Sequence, residues 1–156
     1  MKRLFLVLLL LTSAASMGEV VRLAPNFALE GAGKTTTLRS LQGKPVVLIV
    51  GKSARESAVR AQVKKLKSLY QEFASRQVIF IAALQDGGGD IRSDIPFVLA
   101  KDGAKVAADY GADGPFNLII IGKDGNVDLQ TSKVCPASRV RDVVINSYAV
   151  QAAARK

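Results

Sequence analysis

Few residues in this chain could do covalent or acid–base chemistry. Its 156 residues include one cysteine, Cys135, and no histidine. Without histidine, neither a Ser-His-Asp triad nor a Cys-His pair can form, and a histidine-ligated metal site is excluded. We therefore predict no catalytic residues, no metal, no cofactor and no intramolecular disulfide.

Cys135 is the only thiol in the sequence, and it supports several interpretations. It precedes Pro136, at the predicted start of the last helix, and lies between Lys133 and Arg139. Cationic neighbours can lower a thiol pKa, which would suit a redox sensor or a thiol-dependent enzyme, and an intermolecular disulfide could link a dimer. The alternative is an unreactive thiol, because we expect Cys135 to lie far from the loop at residues 53–58.

That loop joins an apolar strand to a helix. Val46–Val50 is the uninterrupted aliphatic run of a strand covered on both faces, and apolar residues recur at helical spacing from Val59 to Phe73. Chemistry often occurs at such junctions because the N–H groups of the first helical turn point outward. We predict that Ser53 caps the helix in a capping box with Glu56.

A loose phosphate-loop pattern occurs near the N-terminus, at Ala28–Thr35, around the predicted turn Gly31–Lys34. A working loop of this kind follows a buried strand and opens a helix. Here the flanking segments, Phe27–Leu29 and Thr35–Leu38, are predicted strands of a β-hairpin. We therefore do not predict nucleotide binding.

The first 18 residues have the composition of a secretory signal peptide. A basic start is followed by the apolar run Leu4–Leu11 and by small residues. Cleavage after Ser16 or after Gly18 remains open, and an uncleaved membrane anchor is the alternative. We predict a secreted or periplasmic protein with a domain at residues 19–150, a tail at 151–156 and no transmembrane segment after signal cleavage.

The composition is basic, with 22 Lys and Arg against 13 Asp and Glu and a formal net charge of +9. Such a surface favours anionic partners, which suggests an envelope or matrix adhesion module as one hypothesis. A solvated lysine face is the plainer interpretation. Aromatic residues do not interleave with the basic ones, so no nucleic-acid partner is predicted.

The order of the predicted segments is that of an α/β domain. A strand, a helix and a second buried strand make a βαβ unit, whose strands should be parallel. A glycine-rich loop follows, and a Lys-Asp-Gly-Asn turn predicts a later hairpin. The predicted segments after the first helix are Val78–Leu84, Ile95–Leu99, the helix Gly103–Tyr110, the strands Asn117–Ile121 and Val127–Gln130, and a last helix with Pro136 at its first position.

This order resembles the thioredoxin fold in its redoxin, or peroxiredoxin (AhpC/TSA)-like, form. Ala24–Leu29 resembles the first strand of redoxins, and Leu41–Leu48 resembles their run into the central strand. Gly114–Gly125 resembles the uncharacterised family DUF4174, which includes secreted and matrix-associated proteins without established enzyme activity. The resemblance covers about Leu23 to Tyr148. It implies an α/β, thioredoxin-like fold with a central mixed sheet flanked by helices and an N-terminal β-hairpin extension.

The same resemblance indicates where catalytic thiols would stand. A thioredoxin-type enzyme needs Cys-x-x-Cys at the helix start, where the dipole lowers one thiol pKa. Those positions hold Arg55 and Ala58. A peroxiredoxin needs a loop with Pro, Thr and Cys, and Gly51–Ser57 has none of them. Ser53 and Ser57 have no base to activate a hydroxyl.

The resemblance also places a cis-proline opposite the thiols, and Pro115 is the candidate. Counted back from Asp124, the register is one residue off, so Phe116 is an alternative occupant and a trans Pro115 stays open. A cis-proline would shape a backbone edge able to pair with a partner peptide.

The favoured hypothesis is an exported thioredoxin-fold protein that binds a protein or peptide and has lost catalysis. Its alternatives are a thiol enzyme using Cys135 and the adhesion module. The candidate binding residues come from two loops and are Ser53, Arg55, Glu56, Ser57, Gly114, Pro115 and Phe116.

Overall fold

The computed structural model describes residues 22–31, 36–87 and 89–147. The predicted signal peptide, the tail, Tyr148 and most of the turn at Gly31–Lys34 lie outside the described residues, and the domain boundaries stay predictions. The elements are β1 (Arg22–Leu23), β2 (Ala28–Leu29), β3 (Thr36–Thr37), a 3-10 turn (Leu38–Leu41), β4 (Val46–Gly51), α1 (Ser57–Lys67), α2 (Tyr70–Ser75), β5 (Ile79–Leu84), β6 (Phe97–Leu99), α3 (Gly103–Asp109), β7 (Phe116–Ile121), β8 (Asn126–Thr131) and α4 (Ala137–Ile145).

A mixed six-stranded sheet organises the chain, in the order β1-β8-β7-β4-β5-β6. β4 is central, runs parallel to β5 and antiparallel to β7, and is buried along its whole length. β5 and β6 are parallel, and β7 and β8 form the predicted hairpin. The predicted βαβ unit and the central mixed sheet are therefore confirmed.

The two faces of β4 pack against different layers. Leu48 and Val50 face a core formed with α3 and the N-terminal hairpin, whereas Val47 and Ile49 face the core of α1, α2 and α4. This alternation follows from the period of two in a strand, so an all-apolar strand is covered on both sides.

The N-terminal hairpin protects the β6 edge of the sheet. β2 and β3 pair antiparallel as predicted, and the Glu30 amide donates to the Leu99 carbonyl at 2.7 Å while the Lys101 amide donates to the Ala28 carbonyl at 3.0 Å. These bonds occupy backbone groups that a sheet edge would otherwise expose.

Two predicted segments differ from the observed structure. The lead-in at residues 19–25 contains a short edge strand, because Arg22 and Leu23 pair with β8. The single helix predicted from Ser53 to Phe73 starts later and is two helices, since the chain tightens at Ser68–Leu69: the Ser68 hydroxyl donates to the Lys65 carbonyl at 2.7 Å, and the Leu69 amide donates to the Leu66 carbonyl.

The last helix begins one residue later than predicted. Pro136 has ψ of 145°, outside the helical range, and occupies the N-cap position before Ala137. Pro136 nevertheless opens the helix, because its carbonyl accepts from the amides of Arg139 and Val140 at 3.0 and 3.2 Å.

Candidate functional site

The end of β4 sets the position of α1 through Gly51. A Cβ atom on Gly51 would lie 2.7 Å from Cγ2 of Val59, closer than van der Waals contact allows. Val59 is β-branched and buried, so it has little freedom to move aside. Glycine is therefore required for the helix to lie this close to the strand.

The predicted capping box between Ser53 and Glu56 is wrong. The Ser53 hydroxyl instead accepts from the Arg55 amide at 3.2 Å, and the Glu56 amide donates to the Ser53 carbonyl at 3.3 Å. The chain makes a turn before it enters the helix, so Glu56 occupies the N-cap position of α1 and its side chain makes no capping bond. Serine can satisfy local backbone groups in a turn as well as at a cap, and here the turn forms.

The two predicted binding loops lie side by side. Phe116 pairs with Gly51 in the sheet, and the Lys52 amide donates to the Pro115 carbonyl at 3.2 Å. The Gly114 carbonyl accepts from the Gln85 side-chain amide at 3.1 Å. The loop at 114–116 is therefore hydrogen-bonded to the residue that follows β4 and to the residue that follows β5.

Within this loop, accessibility differs between residues. No peptide bond in the described residues is cis, so the trans alternative for Pro115 is confirmed, and its ring is exposed. Phe116 is only 2% exposed, as a core residue of β7. The peptide-pairing edge was expected only for a cis-proline, so that condition is not met, and the carbonyls of Gly114 and Pro115 each accept a hydrogen bond from the chain itself.

At the start of α1 the side chains are polar and accessible. Arg55 and Ser57 are exposed, while Ser53, Glu56 and Ala58 are half-buried. The outward amides of a helix start and the Arg55 guanidinium can attract an anionic group. Residues 53–58 include no cysteine, so they supply no thiol for an exchange reaction at this surface.

Cys135 lies closer to α1 than the sequence analysis expected. β8 runs in the same direction as β4, since each is antiparallel to β7, so both strands end at the same edge of the sheet. The backbone of Cys135 is bonded to Gln62 of α1, four residues beyond Ala58. The prediction that Cys135 is remote from the junction therefore needs correction.

The Cys135 thiol pKa is not lowered, as the redox-sensor and thiol-enzyme alternatives would require. Burial raises the pKa above its ordinary value, and Arg139 opposes this effect only partly. A raised pKa leaves less thiolate at neutral pH, and the thiolate is the reactive form. The site is half-buried against the α1, α2 and α4 core. These properties favour the unreactive-thiol interpretation.

Gln62 is the residue of this region that sequence reasoning missed. Its side chain is fully buried, its Nε2 donates to the Cys135 carbonyl at 3.0 Å, and its Oε1 accepts from the Cys135 amide at 2.8 Å. Both polar ends of the amide are satisfied by one backbone residue, which fixes the start of α4 against α1. The sequence did contain a signal for this role. Gln62 lies on the apolar stripe between Val59 and Leu66, and a side-chain amide buried there needs hydrogen-bond partners.

An open cleft of about 1070 Å³ runs along α1 beside the loop that follows β5. We call it the basic cleft. The sequence analysis favoured a solvated face for the lysines of α1 and a plain glycine-rich loop after β5. The residues that line it are Ser53, Ala54, Arg55, Val59, Arg60, Val63, Lys64, Lys67, Asp86, Gly89, Asp90, Ile91, Arg92 and Ser93.

The described residues contain no group of three or more Cys, Asp or Glu side chains placed to hold a metal ion. In the same ranges, the helices are too short or too polar to cross a bilayer.

Solved structures similar to this chain share a thioredoxin-like fold, which confirms the predicted fold class. A putative thiol:disulfide interchange protein DsbE from Chlorobium tepidum is 22% identical, with a TM-score of 0.63, and the match covers 76% of this chain and 89% of that one. Peroxidoxin BcpB from Mycobacterium tuberculosis is 20% identical, with a TM-score of 0.60 and coverage of 87% and 97%. At these identities the likeness concerns the fold alone.

Sequence comparison gives the family. No curated protein matches the chain at a significant level, and the resemblance of the C-terminal half to DUF4174 stays a prediction. The profile of the AhpC/TSA family matches residues 20–130, from just before β1 to the penultimate residue of β8. Since that match takes in most of the chain and nearly all of the central sheet, the protein belongs to the AhpC/TSA family.

Proposed function

We propose that this protein is an exported, non-catalytic member of its family that acts by binding a protein or peptide. One observation carries the proposal: the helix start at which the fold places its reactive thiols holds Arg55 and Ala58 instead. The only thiol of the chain, Cys135, is half-buried at another helix and has a raised pKa.

The binding surface in this proposal is the α1 junction with its neighbouring loop. Arg55, Ser57 and Pro115 are exposed, and Ser53, Glu56 and Gly114 are partly so. The hydrogen bonds from Lys52 and Gln85 hold the second loop in place, so little conformational entropy is lost on binding. Phe116 contributes by supporting the loop from the core and not by direct contact.

Export is part of the same proposal. Its support is the composition of residues 1–18, with a basic start, a short apolar run and small residues. We expect the protein to be secreted or periplasmic. Expression with this leader and detection of the shortened chain outside the cytoplasm would test the assignment, and a full-length product retained in the cytoplasm would contradict it.

Catalysis is tested by turnover of the purified protein. Peroxide consumption and disulfide reduction are measured with an excess of dithiol reductant, for the wild type and for Cys135→Ser. We expect both proteins to match the protein-free rate, because no exposed thiolate is available. Turnover above that rate in either protein would overturn the proposal, and turnover lost in Cys135→Ser would assign it to a thiol enzyme.

A further inference from the structure

The basic cleft carries an excess of positive charge. Five of its lining residues are cationic and two are acidic. Lys67 is neutralised by Asp94 at 2.5 Å. Over the ranges 22–31, 36–87 and 89–147, the other four cations form no ion pair. The cationic residues are Arg55, Arg60, Lys64, Lys67 and Arg92.

The arrangement concentrates this charge on one side of α1. Arg60 and Lys64 are exposed and one helical turn apart, an i,i+4 spacing at which like charges repel. Arg92 lies across the cleft on the loop after β5. An anionic ligand between these side chains would relieve their repulsion, which is the charge complementarity that guides binding and its specificity.

The shape of the cleft favours a polypeptide segment. The residues that line it include three buried apolar ones, Val59, Val63 and Ile91. Val59 and Val63 fix α1 to the core, and Ile91 fixes the loop after β5. α1 has 11 residues and is therefore about 16 Å long, a length that about five extended residues span. A flat anionic membrane fits a concave trough poorly, whereas an extended peptide can lie along it.

The undescribed ends of the chain do not have the complementary charge. Residues 1–21 and 148–156 contain one acid, Glu19, and four bases, Lys2, Arg3, Arg155 and Lys156. The occupant suggested by charge is therefore a separate molecule.

We infer that the basic cleft binds an acidic peptide segment of a partner protein, with its carboxylates between Arg60, Lys64 and Arg92. This inference rests on the proposed binding function and names the class of ligand. It also extends the binding surface beyond the α1 junction, which the cleft shares at Ser53 and Arg55.

The test uses fluorescence anisotropy with a fluorescein-labelled peptide of about nine residues, built from Glu-Glu-Leu repeats, and the full chain. The cleft variant is Arg60→Glu with Lys64→Glu. The matched control is Lys65→Glu with Lys101→Glu, which changes net charge equally at exposed positions outside the cleft lining. We expect the cleft variant to lose about tenfold or more in affinity and the control less than about twofold.

Three results would overturn the inference. The first is equal weakening in both variants, which would indicate a general charge effect. The second is that the protein binds vesicles containing anionic lipid, or a sulfated glycan, more tightly than it binds the acidic peptide, and that these ligands displace the peptide. The third is no binding of the peptide to the wild type. None of these three binding results bears on catalysis. The turnover assay therefore tests the non-catalytic proposal independently of the peptide-binding inference.

Discussion

The starts of α1 and α4 lie at the same edge of the sheet and belong to helices that pack on the same face, yet they differ in exposure and chemistry. The start of α1 is open, cationic and free of thiols, with Arg55 exposed. The start of α4 carries Cys135, half-buried and held by Gln62. A thiol enzyme needs an accessible thiolate at a helix start. Here the accessible helix start, that of α1, has no thiol, and the helix start with the thiol, that of α4, is half-buried.

The largest effect should come from restoring thiols at the α1 start. Arg55→Cys with Ala58→Cys, on a Cys135→Ser background, places two thiols at the helix start where the dipole favours a thiolate. We expect disulfide reduction to rise from the background rate to measurable turnover, with loss of two hydrogens on oxidation seen by intact mass. The matched control is Arg55→Ser with Ala58→Ser, which should stay at background. If the double-cysteine variant folded normally but were inactive, the start of α1 would differ from that of a thioredoxin-fold enzyme in more than the identity of these two side chains.

The link between the two helix starts can be broken at Gln62. Gln62→Ala removes both hydrogen bonds to the Cys135 backbone and leaves the amide and carbonyl of this half-buried residue without those partners. We expect the free energy of unfolding to fall by about 2–3 kcal/mol, measured by urea denaturation. Gln71→Ala, at an exposed position of α2, should change it by less than about 0.5 kcal/mol. Equal effects at the two positions would show that the Gln62 bonds do not stabilise the fold.

The position of the α1 start can be tested at Gly51. Gly51→Ala puts a methyl group 2.7 Å from Val59 Cγ2, so strand and helix must separate. We expect a loss of about 1–2 kcal/mol in the free energy of unfolding. Gly31→Ala is the matched control, because no other atom lies within 4 Å of its added Cβ. An unchanged stability in Gly51→Ala would mean that α1 is not held tightly against β4.

The smallest effect concerns the α4 start. Because burial raises the pKa of Cys135, the thiolate fraction is low at neutral pH, and alkylation by iodoacetamide should be slower than for a free cysteine peptide. Its rate should rise with pH and level off at a higher pH than the peptide rate. Arg139→Ala should move that pH further upward, since Arg139 lowers the pKa. If the alkylation rate levelled off at a lower pH than the rate of the peptide, this description of the thiol would be contradicted.

Much of the fold could be predicted because its elements follow local patterns. The aliphatic run Val46–Val50 and the Lys-Asp-Gly-Asn turn indicate a doubly covered strand and a hairpin without tertiary information. β1 was missed because two residues have no period, and its partner β8 is about a hundred residues away in the chain. The capping box failed because the same serine can close a turn or cap a helix, and only the path of the chain decides between them.

The candidate site was less predictable, since its properties depend on packing. The sequence pointed to the α1 junction and its neighbouring loop, but it could not show that Phe116 is buried or that Cys135 touches α1. The neighbours Lys133 and Arg139 suggested that the thiol pKa could be lowered, whereas burial raises it and outweighs the charge of Arg139. The basic cleft needed the position of Arg92 relative to α1, which no local pattern encodes.

The most direct test of the proposal that this protein is non-catalytic is the state of Cys135 in the wild type after exposure to peroxide. The protein is mixed with a small excess of hydrogen peroxide at neutral pH, quenched over time and measured by intact mass, with a free cysteine peptide in parallel. We predict that Cys135 oxidises no faster than the peptide. Oxidation to the sulfenic acid many times faster than in the peptide would contradict a non-catalytic role.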